Sequence, residues 1–467
     1  MRLQAVRRPG RHQKKIPSVC RRWRNRTRLF FFSFFSRPSR KRRHKIMDVD
    51  DNYSGTDDAS TAASSTVSSS GSELSFLEDL CIATLCLSSR ANRLIVTRMN
   101  WDQHVQSLLH ENSFHVKCRM TLPSFNKLLS FLRPSLQLND KYAKMSGFEP
   151  ICCELMLHCC IRYLAGGSYH DIRATAAISK ASFYRLVWHT IHCINRCTAL
   201  DVKLPTEQHE LQELRQGFNQ ISRDAVMDGC IGAVDGYLLQ ITAPSFGECG
   251  NVTVYFSGHY CTYGVNVQAM CDADCHFLFF CMAAPGKTND AVAIRKTSLL
   301  PWLDALPPGF FVAGDCAYTL TEHMVTPYSG PQRYLAKCDN FNFFLSQLRI
   351  RIEMAYGLMV TKWSILHTPI NTKLSNLKFL LDAICRLHNF CINNREASVQ
   401  LRSLYRVHRS KTHPHEPTKL GYIPSDAPTV VSREGTSHLR EILANRVASN
   451  SLVRPVTSVM KKTLEQT

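Results

Sequence analysis

Three carboxylates stand where a carboxylate is costly. Asp235 interrupts the apolar run GAVDGYLLQI, and Asp315 closes the run FFVAGD. Glu353 lies in QLRIRIEMAYGLMV, at the border of a stripe made by Leu345, Leu348, Ile352, Tyr356 and Met359. A buried acid must be paired, protonated or bound to a metal. Three that converge resist ionisation together until a divalent cation arrives. Hard oxygen donors of this kind suit Mg2+ or Mn2+. Two such ions about 4 Å apart activate an attacking water or hydroxyl and stabilise the leaving oxygen of a phosphodiester. Taken singly, each acid has a plainer reading. Asp235 caps a turn with Gly236, Asp315 opens a loop, and Glu353 pairs with Arg349 one helical turn back. Their joint arrangement favours the metal: one acid inside a strand, one at a strand end, one on a later helix. Gly314, without a side chain, leaves space for an ion and a phosphate at that strand end.

The elements that must position these acids form an α/β or α+β unit of about 170 residues. CIGAVDGYLLQI, YGVNVQAMCD and HFLFFCMAAPG read as strands, the last two joined as a hairpin across residues 272–275. TNDAVAIRKTSLLPWL reads as one helix, FFVAGD as a short buried strand and QRYLAK as another. Long helices are expected over 340–366 and 374–393.

Residues 75–200 are helical in pattern. FNKLLSFLRPSL puts Phe125, Leu128, Leu129 and Leu132 on one face, with Pro134 ending the turn. PICCELMLHCCIRYLAGGS is a second helix, stopped at Gly166 and Gly167. SYHDIRATAAISKASFYRLVWHTI reads as two helices around a turn near Ile178 and Ser179, with Ser179 capping the second. Lys180, Ser182, Tyr184 and Arg185 then lie at the start of that second helix, where a helix-turn-helix meets the major groove. A plain helical hairpin gives the same pattern.

The chain has 467 residues and a formal net charge of +20, a surplus that suits an acidic polymer such as nucleic acid. Residues 1–46 hold 17 Lys and Arg and no Asp or Glu, whereas residues 47–80 hold 8 Asp and Glu and no Lys or Arg. The rest keeps 40 basic against 29 acidic side chains, so it is basic without the arm. The arm reads as disordered. Its cluster SRKRRHK (39–45) fits a nuclear localisation signal or a phosphate grip, and its Arg-rich, acid-free composition also permits a transit peptide. A further reading starts translation at Met47. Residues 47–74 read as an acidic Ser/Thr-rich disordered linker. Residues 396–467 read as a tail with one amphipathic helix in SHLREILANRVAS.

No run of about 18 apolar residues marks a membrane span. The 20 cysteines include no CxxC pair, and many sit in apolar runs as small hydrophobes, which fits a reducing, intracellular compartment. His189, His192, Cys193 and Cys197 in WHTIHCINRC are the nearest approach to a zinc signature. One helix cannot readily give four tetrahedral ligands, so the reading of buried or incidental side chains is preferred.

In order along the chain come GAVDG (232–236), YFSGHYCTYGVNVQAMCD (255–272), PGKTND (285–290), GDCAY (314–318), FNFFLSQLRIRIEMAYGLM (341–359) and RLHNFCIN (386–393). These blocks resemble the PIF/Harbinger superfamily of transposases and their domesticated relatives. The resemblance covers roughly residues 95–450. It implies an RNase H-like mixed sheet flanked by helices, preceded by an all-α helix-turn-helix region over 75–200. By position it makes Asp235, Asp315 and Glu353 the metal-binding DDE triad, with Asp290 a further acid or simply a helix cap. It implies strands of Asp235 and Asp315 that are neighbours, a nuclear location, double-stranded DNA as substrate, a Myb-like partner protein and homo-oligomers. Tyr237 stands where the family often has Thr, Tyr260 where a basic residue is common, and Lys362 is the only base in MVTKW where a basic pair is usual. The expected activity is metal-dependent DNA cleavage over residues 225–395. Two other classes compete: a catalytically silent DNA-binding or interaction protein that keeps the fold, and an RNase H-like ribonuclease or exonuclease, against which the helix-turn-helix argues.

Overall fold

The structure is a computed structural model that describes residues 98–137, 150–394 and 437–455. The basic arm with its 39–45 cluster, the 47–74 linker, the first part of the 75–200 helical region and most of the tail after 396 lie outside the described residues. No described helix is long and apolar enough to cross a membrane.

Among the described residues six helices come first: α1 (Trp101–His110), α2 (Phe114–Cys118), α3 (Leu122–Leu136), α4 (Cys153–Leu164), α5 (Tyr169–Ala176) and α6 (Lys180–Arg196). The apolar face of α3 is the one the sequence shows, since Phe125, Leu128, Leu129 and Leu132 are all buried. Pro134 does not end it. It sits inside the last turn, and the helix closes at Leu136, which is also buried. Near the C-terminus only one helical bond is lost to Pro, so burial of Leu136 outweighs it. Between α5 and α6, Ala177 takes the left-handed conformation and Ser179 caps α6, its Oγ accepting from Ser182 N at 3.1 Å.

After α7 (Gln208–Ile221) the chain builds one mixed sheet. β1 (Cys230–Gln240) is followed by the one-turn α8 (Phe246–Cys249), β2 (Phe256–Ser257), β3 (Thr262–Cys271) and β4 (Phe277–Pro285). β3 and β4 form the expected antiparallel hairpin, and β3 also pairs antiparallel with β1. Two short helices, α9 (Asp290–Ile294) and α10 (Leu299–Asp304), replace the single helix expected there. The break falls at Thr297, whose hydroxyl donates to Ile294 O at 2.7 Å and accepts from Leu299 N at 3.3 Å. This is the local competition by which Thr opposes a helix interior.

β5 (Phe311–Ala313) pairs parallel with β1, and β6 (Met324–Val325) pairs parallel with β5. QRYLAK is therefore not the last strand. Residues 331–336 are exposed and have no apolar face to bury, so the chain coils through a 3-10 turn (Gly330–Tyr334) into α11 (Ala336–Lys362). The buried pair Met324 and Val325 takes the sheet position instead. α12 (Leu374–Asn393) has its expected bounds, and α13 (His438–Ser449) buries Leu443, Ala444 and Val447.

Side chains alternate across β1 except at an irregularity between Cys230 and Gly232, so the sheet has two cores. Ile231 and Val234 pack with α7, α9 and α10 through Leu211, Ile294 and Leu303. Cys230, Ala233 and Leu239 join the larger core with α11 and α12, and that core runs on into α3, α4 and α6. The helical region and the sheet thus share apolar packing rather than a flexible junction.

Candidate active site

The parallel pairing of β1 with β5 sets the site. Ala233 lies opposite Ala313, so Asp235 and Asp315 each stand two residues beyond the same register pair. Asp235 Oδ1 accepts from Gly236 N at 2.8 Å, and its carbonyl accepts from the Tyr356 hydroxyl of α11 at 2.9 Å. Asp315 Oδ1 accepts from Cys316 N at 2.6 Å. α11 crosses over this pair and brings Glu353 beside them through Arg349.

The guanidinium of Arg349 is the hub. It lies 3.0 Å from Glu353 Oε1, 3.9 Å from Asp315 Oδ1 and 4.0 Å from Asp235 Oδ2. The three acids do converge, and they converge on an arginine. The i, i+4 pairing of Arg349 and Glu353, read from the sequence as the plainer alternative, is present. Among the described residues no three His, Cys, Asp or Glu side chains stand close enough to grip an ion as placed.

Burial pushes the Asp235 carboxyl up to about 7, with the charges of Asp315 and Asp290 adding to that and Arg349 opposing it. Asp290 behaves differently from expectation. Asn289, not Asp290, caps α9, accepting from Val292 N at 3.0 Å. Asp290 Oδ1 accepts from Asn266 Nδ2 at 2.8 Å and from Gln268 Nε2 at 2.9 Å. A Cβ on Gly236 would fall 2.1 Å from Asp290 Oδ1, so Asp290 fills the slot beside that glycine. Neighbours on a strand face opposite ways, which puts Asp290 across β1 from Asp235. Asp290 is not a partner of Arg349. Its carboxyl is also raised, by burial first, with the two amides opposing.

Asn266, Gln268 and Tyr318 are polar neighbours of Asp290 that sequence reasoning missed. The Tyr318 hydroxyl donates to Gln268 Oε1 at 2.7 Å, and Gln268 Nε2 donates to Asn266 Oδ1 at 2.7 Å. Their signal was visible: two amides two residues apart in the apolar strand YGVNVQAMC face the same way. Gly314 has a packing reason instead of a ligand-space reason, since a Cβ there would meet Met324 Sδ at 2.7 Å.

The other expected residues fall elsewhere. Lys180 and Arg185 are exposed at the start of α6, with Ser182 and Tyr184 partly covered. Lys180 lies over the Tyr169 ring, 5.6 Å from its centre, and Tyr184 packs against the same ring. Cys193 Sγ lies 3.2 Å from Ser135 O and 3.7 Å from His189 Nε2, while His192 packs against Phe379, so no zinc set forms. Lys362 is buried, away from any surface role. All the described cysteines are free.

Fold and site together define a mixed α/β protein in which one acid inside a strand, one past a strand end and one on a helix gather around the Arg349 guanidinium. Comparison with known proteins agrees with that class. Residues 234–389 match the family described as DDE superfamily endonuclease, a stretch that holds Asp235, Asp290, Asp315, Arg349 and Glu353. The chain is also similar to "Protein ALP1-like" from Arabidopsis thaliana, 21% identical over 315 residues that cover 63% of this chain and 74% of that protein. No solved structure matches the chain.

Proposed function

We propose that this protein is a metal-dependent DNA endonuclease of transposase origin, of the PIF/Harbinger type, with an RNase H-like catalytic domain. The observation that carries it is the shared register of Asp235 and Asp315 with Glu353 and Arg349 against them. Three long antiparallel strands followed by two short parallel ones support the RNase H-like reading.

The donor set fits a hard divalent cation: three carboxylates, already drawn toward one positive charge. Asp235, Asp315 and Glu353 would hold Mg2+ or Mn2+ once the guanidinium yields those oxygens. When bound, such ions supply the activation of an attacking water or hydroxyl and the stabilisation of a leaving phosphodiester oxygen. The chain's own residues prepare the place. Tyr356 fixes the Asp235 backbone from α11. The Tyr318, Gln268, Asn266 and Asp290 chain of hydrogen bonds braces β3 and α9 behind β1. Burial holds the Asp235 carboxyl up to about 7, so a cation would compete with a proton for it near neutral pH. DNA would be gripped at the start of α6 by Lys180, Ser182, Tyr184 and Arg185. Double-stranded DNA, a nuclear site of action, a Myb-like partner and self-association belong to this reading.

The Arg349 ion pairs favour a second reading, a catalytically silent DNA-binding or protein-interaction protein that keeps the transposase fold. Nicking of supercoiled DNA with Mg2+ or Mn2+ separates the two. Wild type should nick, and Asp235→Asn, Asp315→Asn and Glu353→Gln should each lose roughly a hundredfold or more. Equal nicking by wild type and variants, or none by any, would leave the silent reading standing.

A further inference from the structure

Arg349 occupies the place where the acids meet. Its side chain is only 16% exposed, and its two terminal nitrogens divide their contacts among Asp235, Asp315 and Glu353. A guanidinium stays charged at every working pH, so it cannot be titrated out of such a place. It can only be displaced. Of these three contacts the one to Glu353 is of hydrogen-bond length, and that partner lies one turn away on the same helix. The contacts to Asp235 and Asp315 are longer, so a rotation of the Arg349 side chain alone would release those two acids with α11 unmoved. Three carboxylates against one guanidinium also leave the centre short of positive charge, which is the condition that draws in a divalent ion.

We propose that Arg349 is a resident stand-in for the divalent cation. Its guanidinium holds the three carboxylates together in the metal-free protein and competes with the cation for the same oxygens. This rests on the metal-dependent reading above and adds to it a residue that sets the affinity for the ion. After displacement the guanidinium stays tethered beside Glu353. There its planar fork suits a phosphodiester oxygen of the bound strand. Arg349 thus acts as a positioning residue, first for the acids and then for the substrate.

The test uses the full chain and Mn2+ alone, with binding followed by calorimetry and the melting temperature measured in EDTA and in Mn2+. Arg349→Met should melt several degrees below wild type in EDTA, because three acids lose their shared cation. It should bind Mn2+ more tightly, by about tenfold in Kd. Added Mn2+ should recover most of the lost melting temperature. A merely structural arginine predicts the opposite sign, because its loss would disorder the acids and weaken Mn2+ binding. Unchanged or weaker binding in Arg349→Met, with binding still abolished by Asp235→Asn, overturns the stand-in and keeps the metal site. Absence of Mn2+ binding in wild type and Arg349→Met alike, or binding that Asp235→Asn leaves intact, removes the metal site and the stand-in together. Should Arg349→Met not fold, Arg349→Lys keeps the charge and loses the fork. It should tighten Mn2+ binding by a smaller factor, and weaker binding there counts against the proposal.

Discussion

Asp235 and Gly236 are adjacent and do opposite work. Burial raises the Asp235 carboxyl from its ordinary 3.8 to about 7. A group raised in the folded state contributes most below its unfolded pKa, and the contribution is lost as pH rises through the folded value. In EDTA, Asp235→Asn should match wild type in stability near pH 4 and exceed it at pH 8, by up to about 4 kcal/mol. Urea unfolding at the two pH values measures this, and an equal difference at both would refute it. Gly236 is required because Asp290 Oδ1 lies 2.1 Å from where its Cβ would be. Gly236→Ala should cost about 2 kcal/mol or more, and Asp290→Ala in the same chain should recover part of it. The types and spacing of Asp235, Asp315 and Glu353 were legible in the sequence, and so was the Arg349–Glu353 pairing. What sequence could not show is that one guanidinium reaches all three acids, because that depends on how α11 crosses the sheet. The side of β1 that Asp290 takes was hidden for a like reason, since Asn289 took the cap expected of it.

Elements with a strong pattern and clear ends read well. The β3–β4 hairpin and α12 follow from alternation and from a long apolar stripe. The failures came where two weak signals competed. QRYLAK has strand-forming residues but no side to bury, whereas the buried pair Met324 and Val325 is too short to announce a strand. Asn289 bonds the local backbone to cap α9, and Thr297 does the same to part α9 from α10. The same class of bond gives an element-scale prediction at α6. Ser179 accepts from Ser182 N at 3.1 Å, so Ser179→Ala should lower stability by about 1 kcal/mol, while Ser179→Asp should retain it. Urea midpoints of the two variants decide this. If α6 is the DNA-reading helix, Ser179→Ala should also weaken DNA binding, because Lys180 and Arg185 ride on the turn that the cap holds.

Across the whole molecule the helical region and the sheet share one core, and acid should test that unity. His158 on α4 and His388 on α12 are both buried and neutral, held down to about 3 and about 4 by burial. His158 Nδ1 lies 3.4 Å from Cys118 Sγ within the helical region, while His388 Nε2 donates to Cys275 O at 2.9 Å beside the hairpin. In the unfolded chain each takes up a proton near its ordinary 6.5. Below that pH the unfolded state binds more protons, so stability falls as pH drops from 6.5 toward 4. His276, paired with Asp272 at 2.9 Å and raised, works in the other direction, so the net slope of wild type mixes signs. A difference measurement isolates one term. His158→Phe keeps an aromatic ring against Trp101 and removes one titrating site, so its stability should fall less steeply than wild type's by about 1.4 kcal/mol per pH unit between pH 6 and 4. Because α3, α4 and α6 pack in the same core as α11 and α12, this change should move a single unfolding transition. Fluorescence from Trp101 in the helical region and from Trp302 on the far face of the sheet, each kept alone by replacing the other tryptophans, should give the same midpoint at every pH. Two separated midpoints, with only the Trp101 signal answering to His158→Phe, would show instead that the helical region unfolds by itself and that the shared packing does not couple it to the sheet.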